Sequence, residues 1–306
     1  MTEPRVLVAG VGAIGGWILA RLTEHGADVA GWSRGTTYRH LASGKPLRLE
    51  SPDGDWAGRV HVVDAPDGAY DLVLVTVKSQ DTPVVAPRIP VGARVVSAQN
   101  GVENPEVLAR FHSRVDGCVV MSGCERVGPT HVRNEHAGGH LVVEDAELAG
   151  WLDAHGVATR TTPDVHYAAW RKLLVNVVGN SLTTILRARM GSVFRTPEID
   201  GVARTALEET AAVARAEGVL VTDEDIAAAL RLLHGLPPEK TTSTLQDLEA
   251  GRPFEVDAIT GVVVRKGPRP RHRRPDRPHP RRAAPRALPE GGPMSRRATS
   301  SSRCRP

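Results

Sequence analysis

Cysteine is scarce in this chain. Only Cys118, Cys124 and Cys304 occur in 306 residues, and no two stand at the CxxC spacing of a metal pair. Three thiols make no disulfide framework, which excludes a small stapled scaffold and makes a reducing compartment, the cytoplasm, the expected location. Long apolar runs are missing too. None approaches the roughly 20 residues that span a bilayer, and the chain enters a strand pattern at once, with no signal peptide expected. No carboxylate cluster is placed to ligate a metal, and none is expected.

Basic charge is short everywhere but at the end. Residues 265–306 hold 14 Lys and Arg against Asp276 and Glu290, which leaves 25 basic and 33 acidic side chains in residues 1–264. The net charge of +4 therefore hides an acidic body. A nucleic-acid-binding domain carries its basic footprint on a folded surface, so binding through the tail ranks low among the readings. Nine prolines fall in 265–306, with scarcely any apolar periodicity. Residues 267–306 thus read as a disordered Arg/Pro-rich tail unable to build a core. Its onset directly after the amphipathic GVVVRKG is the pattern a shifted reading frame in GC-rich coding sequence produces.

What is present is a glycine run, VLVAGVGAIGG, five residues into the chain. Residues 4–9 read as a buried strand and 14–25 as a helix, the setting a dinucleotide fingerprint requires. Gly10 permits the tight turn, Gly12 lets backbone approach a pyrophosphate, and Gly15 lets the helix pack on its strand, with Gly16 beside it. Ala13 and Ile14 open the helix, whose free N–H groups and dipole face the phosphates. A site for NAD usually has an acid about twenty residues further on. Here the second strand, 28–32, ends in Gly31-Trp32-Ser33-Arg34 with no acid. Arg34 can pair with a 2′-phosphate, which favours NADPH over NADH.

The first half alternates strands and helices, the pattern of a mostly parallel sheet covered on both faces. Further strands are expected at 59–63, 71–77 and 93–98, with 118–122 and 140–143 at the far edge of the sheet. Residues 123–139 read equally as extended or looped. From 167 the period turns helical, with further helices at 197–216, 223–233 and 244–250. The expected organisation is α/β: a Rossmann-type domain over 1–164, an all-helical substrate domain over 165–266, and the tail. Ligands of open parallel sheets sit beyond the carboxyl ends of strands, so the cleft should lie where the helices face Gly12, Lys78 and Asn100.

Lys172, Asn176 and Asn180 stand four apart, on one face of one helix. Such a stripe within so apolar a segment is a poor choice for stability, because buried amides and amines need partners. A water-facing stripe explains the lysine but explains two asparagines, weak helix formers, less well. Later, one hydroxyl of Thr241-Thr242-Ser243-Thr244 is expected to cap a helix. Glu255 or Asp257, near Lys172, would hold its ammonium and tune its pKa.

Six motifs together resemble the ketopantoate reductase (2-dehydropantoate 2-reductase) family, over residues 5 to about 266. They are GVGAIGG at 10–16, GWSR at 31–34, VTVKSQDT at 75–82, QNG at 99–101, WRKLLVNVVGNSLTT at 170–184 and TSTLQDLEAGRPFEVD at 242–257. The resemblance implies NADPH-dependent reduction of 2-dehydropantoate to (R)-pantoate in pantothenate and coenzyme A synthesis. It implies Lys172 as the catalytic lysine, Glu255 as the acid of the site, Asn176 and Asn180 on the substrate's hydroxyl end and Ser243 on its carboxylate. Lys78 and Asn100 would line the cofactor and substrate cleft, and a homodimer is the assembly expected of such reductases. The family's final TP.N-type motif and last helix are not readable in 267–306, a loss worth several kcal/mol if that helix packs on the helical domain. The competing readings are a related reductase of another small 2-keto acid and a non-catalytic NADP-binding protein.

Overall fold

Four apolar residues in a row, Val6–Ala9, form β1, the strand on which the fold is built. Val6 and Val8 enter the core on one face of the sheet, while Leu7 and Ala9 enter the core on the other. A strand buried on both faces belongs at the centre of a parallel sheet. In this computed structural model, which describes residues 3–267, that is where it lies.

From β1 the chain runs through α1 (Ala13–Glu24), β2 (Val29–Trp32) and α2 (Gly35–Ala42). Short strands β3 (Leu47–Glu50), β4 (Trp56–Gly58) and β5 (His61–Val63) precede β6 (Leu72–Val75). After α3 (Thr82–Val85) come β7 (Arg94–Ser97), α4 (Asn104–Ala109) and β8 (Val115–Gly117). Six of these strands pair in parallel in the order β5-β2-β1-β6-β7-β8. Counted by their own succession the order is 3-2-1-4-5-6, the doubly wound order of dinucleotide-binding sheets, with its switch point between β1 and β6. The Rossmann-type expectation holds.

Its far edge does not fall where the pattern put it. The edge strand is β8, and the chain leaves the sheet at Cys118. Beyond it lie β9 (Val119–Met121), β10 (Cys124–Gly128), β11 (His131–Asn134), β12 (His140–Val143), α5 (Ala146–Ala154) and β13 (Thr159–Thr161). Residues expected at the edge, in β9 and β12, instead pair antiparallel with each other in a separate three-stranded sheet completed by β13. The ambiguous 123–139 stretch is a hairpin of β10 and β11, joined to β3 and β4 as a second, four-stranded sheet. That sheet covers the outer face of α1, so eight consecutive residues from Gly15 to Leu22 are buried. A Cβ on Gly16 would meet Val132 Cγ1 at 2.7 Å, which assigns the last glycine of the motif to packing against β11.

The second half is a helical bundle around α6 (Val165–Leu186), capped by Asp164, which accepts from Tyr167 N at 2.8 Å. Helices α7 (Met190–Phe194), α8 (Pro197–Ala216), α9 (Asp223–Gly235), α10 (Ser243–Glu249) and α11 (Val256–Lys266) pack around it. Trp170, Leu173, Leu174, Val177 and Val178 of α6 form the spine of their core. The other side of α6 meets β9 and β12, which turns its polar stripe toward the sheet. The expected basic tail lies outside the described residues.

Candidate active site

The glycine turn closes as its sequence requires. Gly10 has φ +111°, and a Cβ there would meet Val77 N at 2.8 Å. Thr76 Oγ1 donates to Gly10 O at 2.7 Å, fastening the turn to the end of β6. Gly12, the N-cap of α1, has open space where a Cβ would point, and no side chain caps the helix. Backbone N–H groups are thus presented to an anion. Gly15 does not reach the cavity: its Cβ would fall 1.9 Å from Gly10 O, so its part is to let the helix close on the turn. This separates it from Gly10, Gly12, Ala13 and Ile14, which line the cleft.

That cleft is a cavity of about 1220 Å³ between the carboxyl ends of the parallel strands and α6. It exceeds an ordinary small-molecule pocket and suits a dinucleotide with a second, smaller ligand. Arg34, Lys78, Asn100, Lys172, Asn176, Asn180, Ser243 and Glu255 all lie on its wall. The structure therefore brings these eight side chains to one cavity, and leaves Asp257 outside it.

At the centre is a polar relay. Lys172 Nζ donates to Asn100 Oδ1 at 3.0 Å, and Asn100 Nδ2 donates to Glu255 Oε2 at 3.2 Å. Glu255 Oε1 accepts from the N–H and the hydroxyl of Ser79, each at 2.8 Å. The carboxylate thus reaches the amine through Asn100, correcting the expectation of a direct clasp. Asp257 is exposed and takes no part. Burial pushes the Lys172 ammonium down to about 8, while the charge of Glu255 acts in the opposite direction. A lysine so placed is mostly protonated at neutral pH yet able to give its proton up. Cys118 and Cys124 lie close by, but burial pushes both thiols up to about 12 and leaves them unreactive.

Asn176 and Asn180 follow Lys172 along the cavity wall. Asn180 is 7% exposed, and neither carboxamide has a hydrogen-bond partner among the described residues, so both leave donors and acceptors uncommitted on the cavity wall. Thr242 is the hydroxyl that caps α10, accepting from Leu245 N at 3.3 Å. Ser243 beside it has no such duty.

Two features changed on folding. Lys78 is held across the cleft by Asp247 Oδ2 at 2.6 Å and Pro253 O at 2.5 Å. Arg34, 70% exposed, meets Asp81 at 3.3 Å, so the acid missing after β2 is partly supplied from the loop after β6. Residues that spacing did not disclose stand behind the relay. Asn104 donates to Ser79 Oγ and Asn100 O, at 3.0 and 2.7 Å, and Gln99 donates to Thr82 Oγ1 at 2.7 Å. For Ser79, Thr82 and Gln99 the signal was present in VTVKSQDT and QNG, where only Lys78 and Asn100 were singled out, whereas Asn104 lies outside both motifs. On the opposite wall Lys240 pairs with Glu135, which also accepts from Gln246 Nε2 at 3.3 Å.

A doubly wound sheet with an open glycine turn, facing a half-buried lysine across a cavity, defines an oxidoreductase that takes a dinucleotide cofactor. Comparison with known proteins agrees. Residues 6–147 match the family "Ketopantoate reductase PanE/ApbA", and residues 164–271 match "Ketopantoate reductase PanE/ApbA C terminal". The chain belongs to the PanE/ApbA ketopantoate reductase family. It is 33% identical to the 2-dehydropantoate 2-reductase of Archaeoglobus fulgidus, over 87% of this chain and 92% of that protein. The crystal structure of a PanE/ApbA family ketopantoate reductase from Ralstonia eutropha JMP134 superposes with TM-score 0.79 at 36% identity, over 85% of this chain and 90% of the other. A structure of D-mandelate dehydrogenase with NADH and anilino(oxo)acetate shares the fold at TM-score 0.77 and 21% identity, over 85% and 91% of the two chains.

Proposed function

We propose that the protein reduces 2-dehydropantoate to (R)-pantoate with NADPH, the step that feeds pantothenate and coenzyme A synthesis. The observation that carries this reading is the relay Lys172, Asn100, Glu255 and Ser79, opening on a cavity whose other end is the glycine turn. Residues 1–164 would hold the cofactor, residues 165–266 would supply the substrate-binding groups, and the working assembly would be a homodimer. NADPH, when bound, supplies the hydride that reduces the C2 ketone.

The chain's own residues do the rest. Lys172 donates from Nζ to the ketone oxygen and passes a proton to it as the alkoxide forms, ending as a neutral amine. Asn100 keeps that amine on the cavity wall, and Glu255 fixes Asn100 by taking its Nδ2–H. Asn176 and Asn180 offer uncommitted carboxamides to the substrate's hydroxyl end, and Ser243 offers its hydroxyl and N–H to the carboxylate. Gly12 and the first turn of α1 receive the pyrophosphate, and the Arg34 end of the cleft receives the 2′-phosphate.

Loss of NADPH absorbance on adding 2-dehydropantoate to the full chain tests this. Substrate-dependent turnover is expected, and Lys172→Ala should lower kcat about 100- to 1000-fold with NADPH affinity unchanged. Turnover on a different 2-keto acid but not on 2-dehydropantoate would overturn the substrate. Unimpaired turnover in Lys172→Ala would overturn the mechanism.

A further inference from the structure

The sequestered arginines of the α/β half are neutralised, with one exception. Arg21 lies 2.7 Å from Glu24, and Arg94 lies 2.6 Å from Asp116 and 2.9 Å from Asp145. Arg126, half-buried on β10, has no carboxylate partner among the described residues. Its guanidinium donates from Nη2 to Thr37 Oγ1 at 2.6 Å and from Nε to Gly128 O at 3.4 Å. Burial and the like charge of Arg252 both press against its ionised form. A guanidinium withdrawn from water without a counter-charge is costly, and this one stands on the wall of the cleft.

Its neighbours say which part of a ligand it faces. Thr37 is the third residue of α2, whose N-cap is Arg34 and whose first turn no side chain caps. Both residues line the cavity beyond the end of β2, where a dinucleotide places its adenosine ribose. Arg34 alone brings little surplus charge there, because Asp81 accompanies it at 3.3 Å. Arg88, over the Trp32 ring at 5.0 Å, is exposed to water, so the positive charge at this end that is both withdrawn from water and without a carboxylate partner is Arg126.

We propose that Arg126 is a second ligand of the cofactor's 2′-phosphate and sets the preference for NADPH over NADH. Thr37 is its positioning residue, holding the guanidinium through the hydroxyl. This rests on reading the cleft as an NADP site. It adds a residue from the second sheet to a site otherwise built by the parallel one.

Calorimetric titration of the full chain with NADPH and with NADH tests it, in the parent protein, Arg126→Met and Thr37→Val. The parent should prefer NADPH. Arg126→Met should weaken NADPH binding about 10- to 100-fold while changing NADH less than about twofold, as expected for loss of one charge-assisted contact. Thr37→Val should give a smaller loss, again confined to NADPH. Equal weakening of both cofactors would place Arg126 on the shared diphosphate and overturn the proposal, as would no weakening of either. A parent protein without preference for NADPH would overturn the NADP reading itself, a result the variants cannot imitate. If Arg126→Met does not fold, Thr37→Val, which exchanges a hydroxyl for a methyl, decides between the same outcomes.

Discussion

At the scale of single residues, the chemistry turns on the protonation of Lys172. Its ammonium titrates near 8 because burial outweighs the neighbouring negative charge. The protonated amine is the proton donor for reduction, so kcat should fall as pH rises through about 8, with kcat measured at saturating substrate as the check. The same shift bears on stability with the opposite sense. The folded chain releases this proton near 8, whereas the unfolded chain keeps it until about 10.5, so folding is disfavoured below 8 and relieved of that cost as pH climbs between the two values. Lys172→Met should therefore melt higher than the parent at pH 7, with the gap closing toward pH 10. Residue type and spacing were enough to single out Lys172, Asn176 and Asn180, because a helix turns separation in sequence into a shared face. Ser79, although inside VTVKSQDT, escaped notice because its carboxylate partner Glu255 lies 176 positions away, and no local period encodes such a pairing.

Among elements, α1 shows what glycine spacing carries and what it hides. Gly10 and Gly15 answer to the turn, but Gly16 answers to Val132 in a sheet that the sequence did not reveal. Its strands β3, β4, β10 and β11 are three to five residues long, and all four are only partly buried. Alternation over so few residues falls below what a pattern can distinguish from a loop. The four-residue β6 was legible because every residue in it is apolar and buried, within the near-continuous run DLVLVTV, and α6 because its period extends over 22 residues. Gly16→Ala forces a methyl against a buried valine, an overpacking expected to cost about 1–3 kcal/mol. Urea denaturation would measure it, and NADPH affinity in the folded fraction should stay unchanged.

Over the whole molecule, the two halves are stitched together around the cleft by Lys78 with Asp247 and by Lys240 with Glu135. Neither pair was foreseen, since the partners stand 169 and 105 positions apart in the sequence. Breaking the second pair with Glu135→Gln should leave the glycine turn and the relay in place while loosening how the halves meet. A rise in KM for the 2-keto acid with little change in kcat is the expected outcome. Lys240→Gln should do the same, and the double variant should be less than additive, with a coupling of about 0.5–3 kcal/mol.

The burial of α1 between two sheets also bears on time. A helix covered on both sides gives its amides few routes to solvent short of opening the entire domain, so they belong to the slowest class in hydrogen exchange. The turn it carries is then finished before any nucleotide arrives. Capture by the cleft need not wait for a loop to order itself, and the rate of encounter is left to diffusion and to the charge at the mouth.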